Sequence, residues 1–179
     1  MFRFFPPPRP IEVAAAAVLA TSALFGASAI AAPPARSRML AKELIGSWTL
    51  LAADVLHADG SVDRDYGPSP RGRMIVDGEG RYTVLIYRSD LPKFTSGDRT
   101  KGTPQEYRDS VTGMSTHFGT LTADSVAGTL TFSVEAAGFA NWNGTDLVRP
   151  YTLKDGVLRY TGAARPNGDV PVSVWKKVA

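Results

Sequence analysis

The chain has 179 residues, 44% of them hydrophobic, with a formal net charge of +3, enough for one domain with its own core. It has no cysteine and two histidines, which excludes disulfides, thiolate metal sites, cysteine nucleophiles and a three-histidine metal centre within one chain. The weak positive charge contains no Lys/Arg block, so nucleic acid is not indicated.

Residues 1–31 read as a secretory signal peptide. Arg3 and Arg9 precede the apolar, alanine-rich run from Val13 to Ala32, and Ala29-Ile30-Ala31 gives the small-x-small pattern of a cleavage site just before Pro33-Pro34. An uncleaved anchor is the alternative, because the run is nearly long enough to span a bilayer. Either way the domain is expected in the periplasm or secreted, with no stable membrane insertion once the leader is removed. Residues 32–39 form a linker, and residues 40–179 form the folded domain.

Met39 to Leu44 suggests one short helical turn. Gly46-Ser47-Trp48-Thr49-Leu50-Leu51-Ala52 is the first strand, with Trp48, Leu50 and Ala52 on one face and Thr49, Leu51 and Ala53 on the other. His57 beside Asp59-Gly60 reads as a surface loop residue. Tyr66-Gly67-Pro68-Ser69-Pro70-Arg71-Gly72 is a rigid loop, since two prolines fix φ and withhold donors. Arg73 to Asp77 and Arg81 to Arg88 are strands joined through Asp77-Gly78-Glu79-Gly80. The second is apolar on both faces, with Tyr82, Val84 and Ile86 on one and Leu85 and Tyr87 on the other, and is expected to need an outer cover, such as a helix.

Ser89 to Gly102 is a long polar loop, either a portal or lid or a plain solvated connection. Thr103-Pro104-Gln105-Glu106 then starts a helix, with a capping threonine, a proline at the first helical position and a glutamate completing the capping box. Tyr107, Val111, Met114 and Phe118 recur at helical spacing, so the helix is expected to lay that stripe on the barrel. His117 to Ala123 and Thr129 to Ala137 are strands, the latter with Leu130, Phe132, Val134 and Ala136 alternating against a wet face. Ala140 to Thr145 is a loop carrying Trp142. Its Asn143-Gly144-Thr145 fits a glycosylation acceptor and turn chemistry equally. Leu147 to Lys154 and Val157 to Ala163 form a hairpin through Asp155-Gly156, and Val172 to Val178, with Trp175, is the last strand.

About eight consecutive strands, with one helix inserted between the third and fourth, predict an all-β, antiparallel up-and-down barrel. The strands of Trp48 and Trp175 are expected to be the neighbours that close it. At this strand number the interior is either filled by side chains or holds one small ligand.

From Leu44 to Val178 the chain resembles the lipocalin-like domain family of small, mostly bacterial proteins. The residues that carry the resemblance are Leu44-Ile45-Gly46-Ser47-Trp48, Tyr66-Gly67-Pro68-Ser69-Pro70-Arg71-Gly72, Phe94-Thr95-Ser96-Gly97-Asp98-Arg99, Gly102-Thr103-Pro104-Gln105-Glu106-Tyr107, Phe118-Gly119-Thr120, and Asn141-Trp142-Asn143-Gly144-Thr145-Asp146 with Arg149. The resemblance implies a lipocalin-type barrel with an internal cavity. Lipocalins carry small apolar molecules, and some relatives are isomerases or cyclases. It also implies a basic residue of the last strand, Lys176 or Lys177, packed over Trp48.

Arg149 is the most informative candidate. In the run Leu147, Arg149, Tyr151, Leu153 it shares a face with three large apolar residues, so it points inward. A buried guanidinium needs a carboxylate, a phosphate, a π-face or carbonyls. It is either a clamp for an anionic ligand head or a structural group that pairs internally or stacks on Trp142 or Trp48. Arg88 follows an inward apolar face near the mouth and is read the same way. Tyr66, Tyr87 and Tyr160 offer hydroxyls, or simply pack. His117 opens a strand, and no partner or nucleophile for a catalytic role is marked.

The expected ligand-binding set is therefore Arg149, Arg88, Tyr66, Trp142, Tyr151, Tyr160, His117 and Trp48, and no metal, nucleotide or other cofactor site is visible. The favoured function is binding of a small, largely apolar molecule, with an anionic head as an option. The alternatives are a barrel enzyme of isomerase or cyclase type and a structural or interaction module without a ligand. Oligomeric state is left open.

Overall fold

The computed structural model describes residues 42–178. The signal peptide over 1–31 and the linker over 32–39 lie outside the described residues. A short 3-10 turn at Lys42–Leu44 leads into β1 (Gly46–Leu56). The chain continues through β2 (Val62–Asp63), β3 (Arg71–Val76), β4 (Arg81–Tyr87), the helix α1 (Pro104–Thr112), β5 (Met114–Asp124), β6 (Thr129–Ala137), β7 (Asp146–Lys154), β8 (Val157–Thr161) and β9 (Val170–Lys177). Eight of these strands run in sequence around a closed antiparallel barrel, and β2 is a short extra strand on the end of β1. The closing pair is β1 with β9, with Trp48 opposite Lys177 and Leu50 opposite Trp175. Closure leaves the long strands without an unpaired edge.

Period-2 alternation sets what faces in. Tyr82, Val84 and Ile86 on β4 are all buried, as are Leu130, Phe132 and Val134 on β6. On β1 the alternation changes phase. A bulge between Leu50 and Ala52 inserts one residue, so Ala53 and Val55 are buried where simple alternation placed Ala52 inside. A second bulge falls between Phe118 and Gly119. A β-carbon on Gly119 would run into the Ser133 carbonyl oxygen and the Glu135 amide, so only glycine fits there. The face of β6 expected to be wet has one exception, Thr131, which is buried.

Two expectations about cover are corrected. The outer face of β4 is not buried: Leu85 is 36% exposed. The helix covers no wall either. None of its residues is buried, and Tyr107, Val111 and Phe118 are exposed. Phe118 belongs to β5, on its outer face, because the helix stops at Thr112 before the periodic run is complete. What holds the helix is its start. The Thr103 hydroxyl accepts from the Glu106 amide, the Glu106 carboxylate accepts from the Thr103 amide at 2.7 Å, and Pro104 stands in the first turn.

The two ends of the barrel differ. At one end Leu44, Trp48, Met74, Leu121, Leu158 and Trp175 are essentially fully buried and fill the lumen. The Trp48 indole N–H donates to the Leu44 carbonyl at 2.9 Å, so the turn before β1 plugs this end. The other end is hollow.

Candidate functional site

The hollow end is a cavity of about 860 Å³, within the usual range for small-molecule sites. Six strands supply its wall, through residues such as Val55, Ile86, His117, Leu147, Tyr160 and Val172. The β1 bulge is part of the reason, because it turns Ala53 and Val55 inward at this level. Val111 and Thr112 of α1 line the mouth, so the helix that covers no wall stands at the opening. No residue of 89–102 lines the cavity. That loop is tied to the helix instead: the Thr95 amide and hydroxyl both donate to the Glu106 carboxylate, and Phe94 meets Tyr107 edge-on at 5.4 Å.

Arg149 faces inward, as the alternation of β7 dictates. Its guanidinium carbon lies 5.7 Å from the Tyr160 ring centroid and 6.0 Å from that of Phe132. It forms no ion pair among the described residues, and its Nε is buried without a hydrogen-bond partner. The π-faces therefore come from Phe132 and Tyr160 and not from Trp142 or Trp48. Two rings offset part of the desolvation of a cation, but they leave its N–H groups unanswered. Gly162 makes the space: a β-carbon there would stand 2.9 Å from Nη1.

His117 lies beside this cation, also on the cavity wall, and is 6% exposed. Its Nδ1 is 2.8 Å from the Tyr82 hydroxyl. Its ring meets the edges of Tyr82, Phe132 and Trp142 at 5.3, 5.6 and 5.8 Å. Burial, with the positive charge of Arg149 adding to it, holds the imidazole pKa down at about 4, so the ring is neutral at physiological pH. Burial pushes the Tyr160 phenol up, against the opposing pull of Arg149, and pushes the Tyr66 phenol up as well. Both stay protonated and able to donate.

The structure thus brings Arg149, His117, Tyr160, Tyr66, Trp142 and Arg88 to one cavity. Arg88, however, is already satisfied: its Nε and Nη2 make a bidentate pair with Asp90, both contacts at 3.0 Å. Trp142 closes a 3-10 turn at Ala140–Trp142 and stands over His117 at the mouth with Phe139 beside it. Tyr151 and Trp48 are not on the cavity wall. Tyr151 packs against the core, and Trp48 belongs to the plugged end. The Asn143-Gly144-Thr145 segment is used by its own turn, with the Asn143 side chain accepting from the Ala137 amide and the Thr145 hydroxyl donating to the Trp142 carbonyl.

Three residues with a part in the site were not singled out from sequence. Alternation marks Tyr82 and Phe132 only as inward members of their strands, and nothing in the sequence marks Gly162. The strand pairing that places Val84 opposite His117 is the signal that would have joined Tyr82 to the histidine. His57 is also more than a surface loop residue. Its Nδ1 is 2.7 Å from Asp169 and its Nε2 is 3.0 Å from Asp63, a clamp between β2 and the turn before β9. Among the described residues no group of three or more His, Asp or Glu is disposed to hold a metal ion, and no helix is long and apolar enough to cross a membrane.

No curated protein is detectably similar to the chain. Among solved structures, a lipocalin-like protein from Bacteroides uniformis ATCC 8492 is similar at 14% identity and a TM-score of 0.41, covering 76% of this chain and 99% of that one. The lipocalin-like domain family matches residues 45–178, a span that takes in every strand from β1 to β9. On that match the chain belongs to the lipocalin-like domain family.

Proposed function

We propose that the barrel binds a small, largely apolar molecule with an anionic head, the head meeting Arg149 inside the cavity and the apolar part lying against Val55, Ile86, Leu147 and Val172. The observation that carries this reading is the buried, unpaired Nε of a guanidinium that, among the described residues, has two rings and no paired carboxylate around it. A cation left in that state is a cost to the fold, and an incoming carboxylate would give it a charge-assisted contact. The hollow lumen runs against a purely structural module, which would fill its interior. We further propose that residues 1–31 direct the chain out of the cytoplasm, on the strength of the apolar run, its two preceding arginines and its small-residue cleavage pattern.

The test is extraction of the purified protein followed by mass spectrometry, with a thermal-shift panel of apolar acids, esters and alcohols. An acid that co-purifies or raises Tm is the expected result. A panel without any stabilising member would sink the reading. A second reading, an isomerase or cyclase acting on a substrate shaped by the dry barrel, is favoured by the convergence of Arg149, His117 and Tyr160 on one space. It is told apart by a mass-neutral change in structure of a bound compound over time, abolished in Arg149→Ala.

A further inference from the structure

We propose that His117 is a second, uncharged donor of the head-group subsite, set as its Nε2–H tautomer by the Tyr82 hydroxyl, so that the cavity selects a monoanionic carboxylate head. This rests on the binding function just proposed and names the head it prefers.

The argument is hydrogen bookkeeping. Tyr82 is 3% exposed, does not line the cavity, and among the described residues its hydroxyl has one partner, Nδ1 of His117 at 2.8 Å. A neutral phenol has one hydrogen to place, and Nδ1 is the acceptor in reach. If Nδ1 carried the ring proton instead, the phenol hydrogen would be buried with no acceptor. The pairing therefore puts the imidazole hydrogen on Nε2. That nitrogen makes no hydrogen bond among the described residues, and the ring it belongs to is on the cavity wall. The imidazole is neutral at physiological pH, as burial beside Arg149 requires.

The head-group end of the cavity then presents the Arg149 guanidinium and an imidazole N–H: donors around a single positive charge. An amine head would face the cation and find no anion. An alcohol or an ester would leave the guanidinium without a counter-charge. A phosphate monoester would bring up to two negative charges to a site with one positive, in a space lined by Phe132 and Tyr160. A carboxylate has one charge and two acceptor oxygens, one for the guanidinium and one for the imidazole N–H.

The experiment uses the mature protein and four probes of equal chain length: palmitate, methyl palmitate, hexadecylamine and hexadecyl phosphate. Binding is read by titration calorimetry on wild type, His117→Phe and Tyr82→Phe. Palmitate is expected to bind wild type best. His117→Phe is expected to weaken palmitate by about ten-fold or more, the worth of one hydrogen bond to a charged group, and to weaken methyl palmitate, whose carbonyl is a neutral acceptor, by clearly less. Tyr82→Phe, which frees the tautomer, falls between the two. Nitrogen-15 NMR of wild type reads the tautomer directly and does not depend on either variant folding: protonated Nε2 and bare Nδ1 are expected, with the Nε2 signal moving when palmitate is added. If wild type binds none of the four probes, the cavity function itself falls. If wild type prefers palmitate but His117→Phe retains that preference in full, or if the proton is found on Nδ1, the function stands and the role of His117 is overturned.

Discussion

Lys177 lies across Trp48, with its ammonium nitrogen 5.5 Å from the indole centroid and hydrogen-bonded to the Glu43 carbonyl at 2.7 Å. The two residues face each other in the pairing that closes the barrel. The cation thus answers an indole π-face and one carbonyl of the plugging turn at once. Lys177→Ala removes the charge and the stem that covers the ring, and should cost about 1 kcal/mol. Trp48→Ala opens the plugged end itself and should cost about 3–5 kcal/mol. Urea unfolding at neutral pH measures both. Equal, negligible losses would mean that this end is held by something other than the tryptophan and its lid.

Arg149 sets a different trade. Among the described residues it is not paired with any carboxylate, so the fold gains little from its charge. Arg149→Met keeps most of the apolar volume beside Phe132 and Tyr160 while removing the charge over their rings, and should leave Tm unchanged or raise it. The same variant should lose at least about ten-fold in affinity for an anionic amphiphile, since one charge-assisted contact is worth that much. Gly162→Ala probes the same group more gently. Its new β-carbon would press on Nη1, the far end of a flexible side chain, so stability should hardly change while binding weakens. A drop in Tm for Arg149→Met, with binding intact, would reverse the assignment and make the arginine structural.

How much of this was legible in the sequence depends on the range of the contact. Alternation along β4, β6 and β7 is local, and it put Tyr82, Phe132 and Arg149 inside. The capping box of α1 is equally local, spanning Thr103 to Glu106, and it fixed the start of the helix. The phase change on β1 was not legible, because a bulge is decided by the partner strand β9 as much as by β1. The helix stripe misled for a related reason. Periodicity says that a face is apolar, not what it meets, and here Val111 looks onto a cavity mouth and Tyr107 onto Phe94. His57 and Asp169 are 112 residues apart, and nothing in either neighbourhood announces the other.

Glu106 holds two segments with one carboxylate. It accepts from the Thr103 amide at the start of the helix and from the Thr95 amide and hydroxyl of the preceding loop. These donors, the Thr95 amide first, hold its pKa down at about 2, against an ordinary 4.5. The folded carboxyl is the stronger acid, so this contribution is fully present above pH 4.5 and is lost as pH falls through about 2. Hydrogen exchange at the Thr95 and Thr103 amides should therefore stay slow at pH 4. Glu106→Gln should speed it several-fold wherever the wild-type carboxyl is ionised, above about pH 2, because a neutral amide accepts less strongly than a carboxylate. An unchanged exchange rate in the variant would show that the loop is held elsewhere.

The chain's two histidines should titrate in opposite directions. His57 sits between Asp169 and Asp63, and those hydrogen bonds, the Asp169 one first, raise its pKa above the ordinary 6.5. The protonated clamp stabilises fully below pH 6.5, and its contribution is lost as pH rises through the raised folded value. His117 does the reverse. Burial beside Arg149 lowers its pKa to about 4, so between pH 6.5 and 4 the unfolded chain takes up a proton that the folded one refuses. Stability should fall as pH drops through that window and level off below it, by a few kcal/mol in all at about 1.4 kcal/mol per pKa unit. His117→Phe should flatten the acid limb and leave the alkaline limb; His57→Gln should do the opposite. NMR titration of two imidazole signals, with urea unfolding across pH 4 to 8, checks both statements on one protein. Two signals that titrate together near 6.5 would mean that neither the clamp nor the dry wall around His117 persists in solution.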